Sequence, residues 1–272
     1  MEKVIDFLKK LVNNVSLEHS YSLLLSSNKS DFTTEIQPPL EMGGDRWAVG
    51  LLSLETYNSI PNITHKNNVF RFVKFLSSDP RELTNKLNIL IAETDSGATW
   101  KEITLAVGSY EISQINSEIQ RLIQLDGDSG IEITINYYTL KSVVNITPST
   151  CQVDFTVDNS LASTLGFDAV TLNPRYNISP NIVKILTVNS ILVNCNIVGN
   201  SYLNSKQFPV LYSFFPNVKP GYKVVQDPIN VVYLPINGDQ IQNIRIWLTD
   251  QDGHALDFRG ETITCRLSFK QI

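Results

Sequence analysis

Reactive side chains are scarce in this sequence. Cysteine and histidine occur three times each, and methionine twice, in 272 residues. The histidines His19, His65 and His254 stand far apart. No two histidines or cysteines have the spacing of metal ligands, so no metal site is expected. Cys151, Cys195 and Cys265 are odd in number and scattered, which argues for buried free thiols and against a disulfide framework. Glycine-rich signatures are missing too: there is no Gly-Lys-Ser/Thr phosphate loop, no GxSxG elbow and no dinucleotide-binding turn. Charged residues make up only 18%, net charge is −5, and no Lys/Arg tract occurs, so direct nucleic-acid binding is not expected. No apolar run is long enough to cross a bilayer. The N-terminus lacks the apolar stretch and cleavage site of a signal peptide. These absences describe a chain made and kept inside a reducing cell, with the sequons at Asn14, Asn28, Asn62, Asn145 and Asn177 unglycosylated.

What the sequence has is β-strand. In Ile241–Thr249, Ile244, Ile246 and Leu248 alternate with Asn243, Arg245, Trp247 and Thr249. In Glu261–Lys270, Ile263, Cys265, Leu267 and Phe269 alternate with Thr264, Arg266, Ser268 and Lys270. A two-residue period puts an apolar row on one face and a polar row on the other. The spacing predicts two half-buried antiparallel strands joined through the turn Asp250-Gln251-Asp252-Gly253. Asp250, Asp252 and Glu261 also fall at the first, third and twelfth places of a calcium loop. The fifth and sixth places, which need a ligand and a glycine, hold His254 and Ala255. The turn is the better fit.

Earlier segments follow the same rule. Residues 1–17 place Val4, Leu8, Leu11, Val12 and Val15 at helical spacing, predicting an amphipathic extension over residues 1–20 that docks on its own domain or grips a neighbour. Strands are expected at Tyr21–Leu25, Phe32–Ile36, Val69–Leu76, Leu87–Ala92, Trp100–Val107, Leu140–Ile146, Val210–Phe215 and Tyr222–Leu234, and around Ile131–Tyr137 and Val153–Val157. Trp47–Leu54, apolar on both faces, belongs in a covered central position. Val183–Val198 reads as two strands or one bent one. Helical spacing appears at Ile112, Ile115, Ile119 and Leu122, with Ser113 as N-cap and Asp126-Gly127 beyond the end. Asn159–Gly166 predicts a miniature helix with an Asn cap and a Gly stop.

Many short strands with turns between them, and one or two short inserted helices, define an all-β sandwich or jelly roll. The length is compatible with one domain over residues 21–272. No catalytic or cofactor-binding set emerges: the strand period turns Cys265 away from His254, its nearest candidate partner. A converging carboxylate pair would instead mark a sugar-cleaving enzyme. Aromatics such as Trp47, Trp100, Tyr137, Tyr138 and Trp247 would suit a glycan- or peptide-binding sandwich.

The order of short motifs adds a family likeness. The sequence runs Ser201-Tyr202, Val210-Leu211-Tyr212-Ser213-Phe214, Pro220-Gly221-Tyr222, Asp227-Pro228, Tyr233-Leu234-Pro235, Asp250-Gln251-Asp252-Gly253 and Asp257-Phe258-Arg259-Gly260-Glu261-Thr262-Ile263-Thr264. Upstream lie Trp47-Ala48-Val49-Gly50-Leu51 and Gly108-Ser109-Tyr110-Glu111-Ile112. This succession resembles the minor capsid (penton) proteins of Polinton/Maverick elements and adintoviruses, over most of residues 21–272 and most strongly after Asn189. The resemblance implies a single jelly roll of two facing four-stranded antiparallel sheets. It implies a homopentamer at the vertices of an icosahedral virion, a double jelly-roll major capsid protein as partner, and no enzymatic activity. The alternative is a cytosolic carbohydrate- or peptide-binding β-sandwich. A ring needs outward, uncharged anchors, and Trp247, Phe208, Tyr212, Phe214, Phe215 and Tyr222 are the candidates.

Overall fold

The computed structural model of the protein describes residues 20–43, 46–74, 100–125, 130–185 and 188–272. The expected N-terminal helix, the strand at Leu87–Ala92 and the Asp126-Gly127 helix stop lie outside the described residues. In chain order the first three strands are β1 (Ser20–Ser27), β2 (Asp31–Glu41) and β3 (Trp47–Tyr57). Then come β4 (Val69–Lys74), β5 (Trp100–Thr104), helix α1 (Ile112–Leu125), β6 (Ile131–Asn136), β7 (Lys141–Ile146), β8 (Cys151–Asp154), helix α2 (Ala162–Leu165), β9 (Thr171–Leu172) and β10 (Tyr176–Ile178). Strands β11 (Ile191–Cys195), β12 (Tyr202–Leu203), β13 (Lys206–Gln207) and β14 (Val210–Phe214) follow. The chain ends with β15 (Lys223–Gln226), β16 (Leu234–Pro235), β17 (Gln240–Thr249) and β18 (Ile263–Gln271). The protein is all-β in character, with antiparallel pairing between its named strands.

Two compact units divide the chain. One comprises Met1–Ser59 with Val188–Ile272, the other Ile60–Thr187. The sequence pattern predicts a single sandwich over 21–272, whereas residues 60–187 form a unit with its own core. The reason is local: α1 brings its own apolar stripe and gives the surrounding strands a face to bury. Ile112, Ile115, Ile119 and Ile123 of α1 share one cluster with Phe70, Phe72, Ile131, Ile133, Val144, Val153 and Phe155. A strand alternation has no such marker of which core it serves.

The first unit holds a five-stranded sheet, ordered β1-β18-β3-β15 with β16 also paired to β3, a four-stranded sheet, β14-β11-β17-β2, and the small β12-β13 pair. Their inward rows are those the alternation predicts. Ile244, Ile246 and Leu248 of β17, and Ile263, Cys265, Leu267 and Phe269 of β18, are all buried. β3 is central and covered, as its two-sided apolar pattern requires, with Ala48, Val49 and Leu54 fully buried. One expectation is corrected here. β17 and β18 do not pair: β17 lies between β11 and β2, β18 between β1 and β3. Residues 250–262 carry the chain from one sheet to the other, and both strands therefore send their apolar rows into one shared core.

A strap runs over the outer face of β3. The Tyr233 hydroxyl donates to Ser268 Oγ at 3.2 Å, and the Lys270 ammonium lies 4.6 Å from its ring centroid. A Cβ on Gly50 would sit 2.4 Å from Val231 Cγ1 and 3.0 Å from Val232 O, so glycine permits the close approach.

The second unit contains sheets β10-β7-β6 and β5-β4-β8-β9. Both helix caps differ from expectation. α1 starts one residue before Ser113; Glu111 N–H donates to Gln114 Oε1 at 2.8 Å, and Glu111 O accepts from Ile115 N–H, so Glu111 stands at the cap. α2 is capped by Leu161 without a side-chain bond. Asn159, with φ 57°, uses its carbonyl to accept from Val69 N–H instead. The Gly166 stop is as expected: at φ 78° its N–H reaches Ala162 O and Ser163 O.

Candidate interaction surface

The six expected anchors separate into three groups. Phe215 and Tyr222 are 45% and 64% exposed, and they flank a loop held down from below. Asn58 Nδ2–H donates to Val218 O at 2.7 Å, Asn58 N–H to Tyr222 O, and Gly221 N–H to Asn58 O. Tyr57, the last residue of β3, is exposed beside them in register with Lys223. Phe208, Tyr212 and Trp247 are half-buried. Phe214 is a correction: it is buried, its ring stacked on Tyr212 with centroids 6.3 Å apart. Phe214 pairs with Ile191 of β11, and that register turns it to the core side.

Trp247 lies on the outward row of β17, as alternation requires, but under a lid. The Arg245 guanidinium sits 4.8 Å from its ring centroid. Arg245 is itself fixed to Asp31 of β2, Nε to Oδ1 at 2.8 Å and Nη2 to Oδ2 at 2.6 Å. Hydrogen bonding to this guanidinium holds the Asp31 carboxyl below its ordinary range, and the pair raises Arg245 in return. Trp247 is thus half-buried, with a bidentate ion pair set against its ring.

Further along the same pair of strands, β2 bows outward. Its register with β17 passes from Asn243↔Glu35 to Ile241↔Leu40, so Ile36–Pro39 together oppose Gln242. Pro38 and Pro39 have no N–H for the ladder, and an edge strand is where such residues fit a sheet. The bow leaves a groove of about 420 Å³ bounded by Glu35, Ile36–Pro39, Gln242 and Asn243. Gln37 Nε2–H donates to Glu35 Oε1 at 2.8 Å. In the sequence the Pro38-Pro39 pair marks the place, and β2 runs through both prolines to Glu41.

The turn Asp250–Gly253 forms as expected, with Gly253 N–H donating to Asp250 O. Asp250, Asp252 and His254 place their ligand atoms within 4.8 Å of one another. Asp250 Oδ1 is engaged, accepting from the N–H groups of Asp252 and His254 at 2.9 and 2.8 Å, and Oδ2 lies 3.2 Å from His254 Nδ1. These contacts give Asp250 the work of holding the turn. Cys265 faces the core, and burial pushes its thiol up to about 12, opposite to the activation a nucleophile needs.

Among the described residues no helix is long and apolar enough to cross a membrane. Several antiparallel sheets, with only short helices between them, make this an all-β protein. Among solved structures, the chain is similar to selenomethionine-labelled mavirus penton protein, at 14% identity and a TM-score of 0.48, over 93% of this chain and 100% of that one. No protein-family model and no curated protein matches the chain.

Proposed function

We propose that this protein is a structural virion component, a penton or minor capsid protein that forms homopentamers at the vertices of an icosahedral shell. The observation that carries this reading is where the family-like motifs fall in the fold. Val210–Phe214 is β14, Pro220-Gly221-Tyr222 leads into β15, Tyr233-Leu234-Pro235 lies in the strap, and Ile263-Thr264 opens β18. They sit in or beside the two large sheets of the first unit, whose orders, β1-β18-β3-β15 and β14-β11-β17-β2, support the jelly-roll part of this reading. In this reading residues 60–187 are an insertion between its third strand, β3, and its fourth, β11.

The proposed partners are further copies of this chain and a double jelly-roll major capsid protein, and the proposed location is the capsid vertex, after synthesis inside the host cell. The role is mechanical, and its energy comes from outward apolar groups covered on assembly. Sedimentation and light scattering of the purified chain, alone and with the shell protein, test it. A closed ring of five is expected, and Trp247→Ala should weaken assembly more than thermal stability. A two-fold dimer, or a monomer that stays so with the shell protein present, would overturn the vertex role and favour a binding module.

A further inference from the structure

Two patches of the first unit complement each other, and both are absent from the set of anchors above. One is the groove beside β2, an acid (Glu35) set against the apolar surface of Ile36, Pro38 and Pro39. The other lies on the outer face of β1 and β18, where Leu24 and Arg266 are register partners. Leu24 is 57% exposed, and Arg266 is exposed next to it. Both point away from the core because their neighbours Leu25, Cys265 and Leu267 point into it. A large apolar side chain beside a cation therefore faces outward from one sheet. A cleft of mixed character, with Ile36, Pro38 and Pro39 beside Glu35 and the amides of Gln37, Gln242 and Asn243, opens on the edge of the other sheet.

We propose that Leu24 and Arg266 of one copy dock into the Glu35–Pro39 groove of a second copy. The inference rests on the vertex reading for the number of copies, but the contact itself rests on shape and charge. Leu24 fills against the prolines, which have no N–H to leave unpaired, and the Arg266 guanidinium meets the Glu35 carboxylate. Opposite charges at the rim fix register and suppress wrong partners. Knob and groove are different patches of the same subunit, so the contact propagates head-to-tail, the arrangement that a cyclic ring uses. The groove lies where β2 bows away from β17 and is lined by both strands, and no strand of their sheet lies beyond β2.

Charge reversal tests the contact on the full chain. Arg266→Glu and Glu35→Arg should each raise the concentration needed for self-association about tenfold or more, while the combined variant restores it. Both side chains are exposed, so melting temperature should stay unchanged in all three variants. A second test uses Leu24→Cys with Pro38→Cys and a short bifunctional maleimide. The native cysteines are buried, so covalent oligomers should arise only in the double variant. Rings of five that form with unshifted midpoints in both charge reversals would overturn the contact and leave the vertex reading standing. Shifted and rescued midpoints in a particle that is a two-fold dimer would support the contact and overturn the vertex reading. A wild-type chain that stays monomeric at the highest attainable concentration, or an absence of cross-links, would overturn the contact.

Discussion

Cys195 of β11 and Cys265 of β18 belong to opposite sheets of the first unit, yet they are close enough to interact electrostatically. Burial pushes both thiols up to about 12 from an ordinary value of 9.0. A proton held more tightly when folded makes stability fall as pH rises. The contribution is complete below the ordinary thiol value of 9.0 and is lost as pH climbs from there towards about 12, by about 1.4 kcal/mol per pH unit for each thiol. Urea midpoints should therefore drop as pH rises above about 9, and replacing both cysteines by alanine should flatten that part of the profile. An unchanged slope in the double variant would mean that the thiols ionise freely in the folded protein. The last strand offers a second test by face. Phe269→Ala empties a fully buried site and should cost about 3–5 kcal/mol. Thr264→Ala, on the outer face beside Ser26, should cost under about 1 kcal/mol. Equal losses in equilibrium unfolding would contradict the register of β18.

Elements were legible in the sequence wherever periodicity was strong. The Ile263/Cys265/Leu267/Phe269 row, the two-sided apolar β3 and the isoleucine stripe of α1 all form as the spacing predicts. Pairing was not legible, because alternation names a face and no partner. β17 and β18 follow one another through a good turn signal yet join different sheets. Among the described residues of Val183–Val198, rich in Val, Ile and Leu but broken by Lys, Asn and Ser, β11 is the single named strand, since apolar runs are read by composition and strands are made by available partners. Of the interaction surface, the outward parity of Trp247 was legible. Its Arg245–Asp31 lid was not, because it spans 214 residues of sequence. The strap over β3 was equally hidden, since Gly50 inside a strand pattern signals a close approach without naming what approaches. Gly50→Val should expel residues 231–233 from the face of β3. The measurable result is faster proteolysis within 227–235, with loss of stability of about 1–3 kcal/mol. Wild-type protease resistance in that variant would show that the strap does not depend on the glycine.

The division of the molecule into two units makes a test of what each contributes. Where the chain leaves the first unit, Ser59 Oγ–H donates to Phe258 O at 2.6 Å; where it returns, Asn189 N–H donates to Gln251 Oε1 at 3.0 Å. Both junctions are thus tied to the same connection between β17 and β18, seven residues apart along it. A flexible Gly/Ser linker of about ten residues spans such a gap without strain. The two large sheets of the first unit, the strap and the groove all draw on residues outside 60–187. Replacing residues 60–187 by that linker should therefore leave a protein that melts cooperatively and keeps Cys195 and Cys265 shielded from thiol reagents. Its assembly then carries the functional argument further. Leu24, Arg266 and Glu35 all remain in the shortened chain, so it should form the same ring as the full protein, with the same response to Arg266→Glu. A shortened chain that folds but no longer associates would move the contact between copies into residues 60–187. One that fails to fold would show that the first unit's core needs the second to be complete.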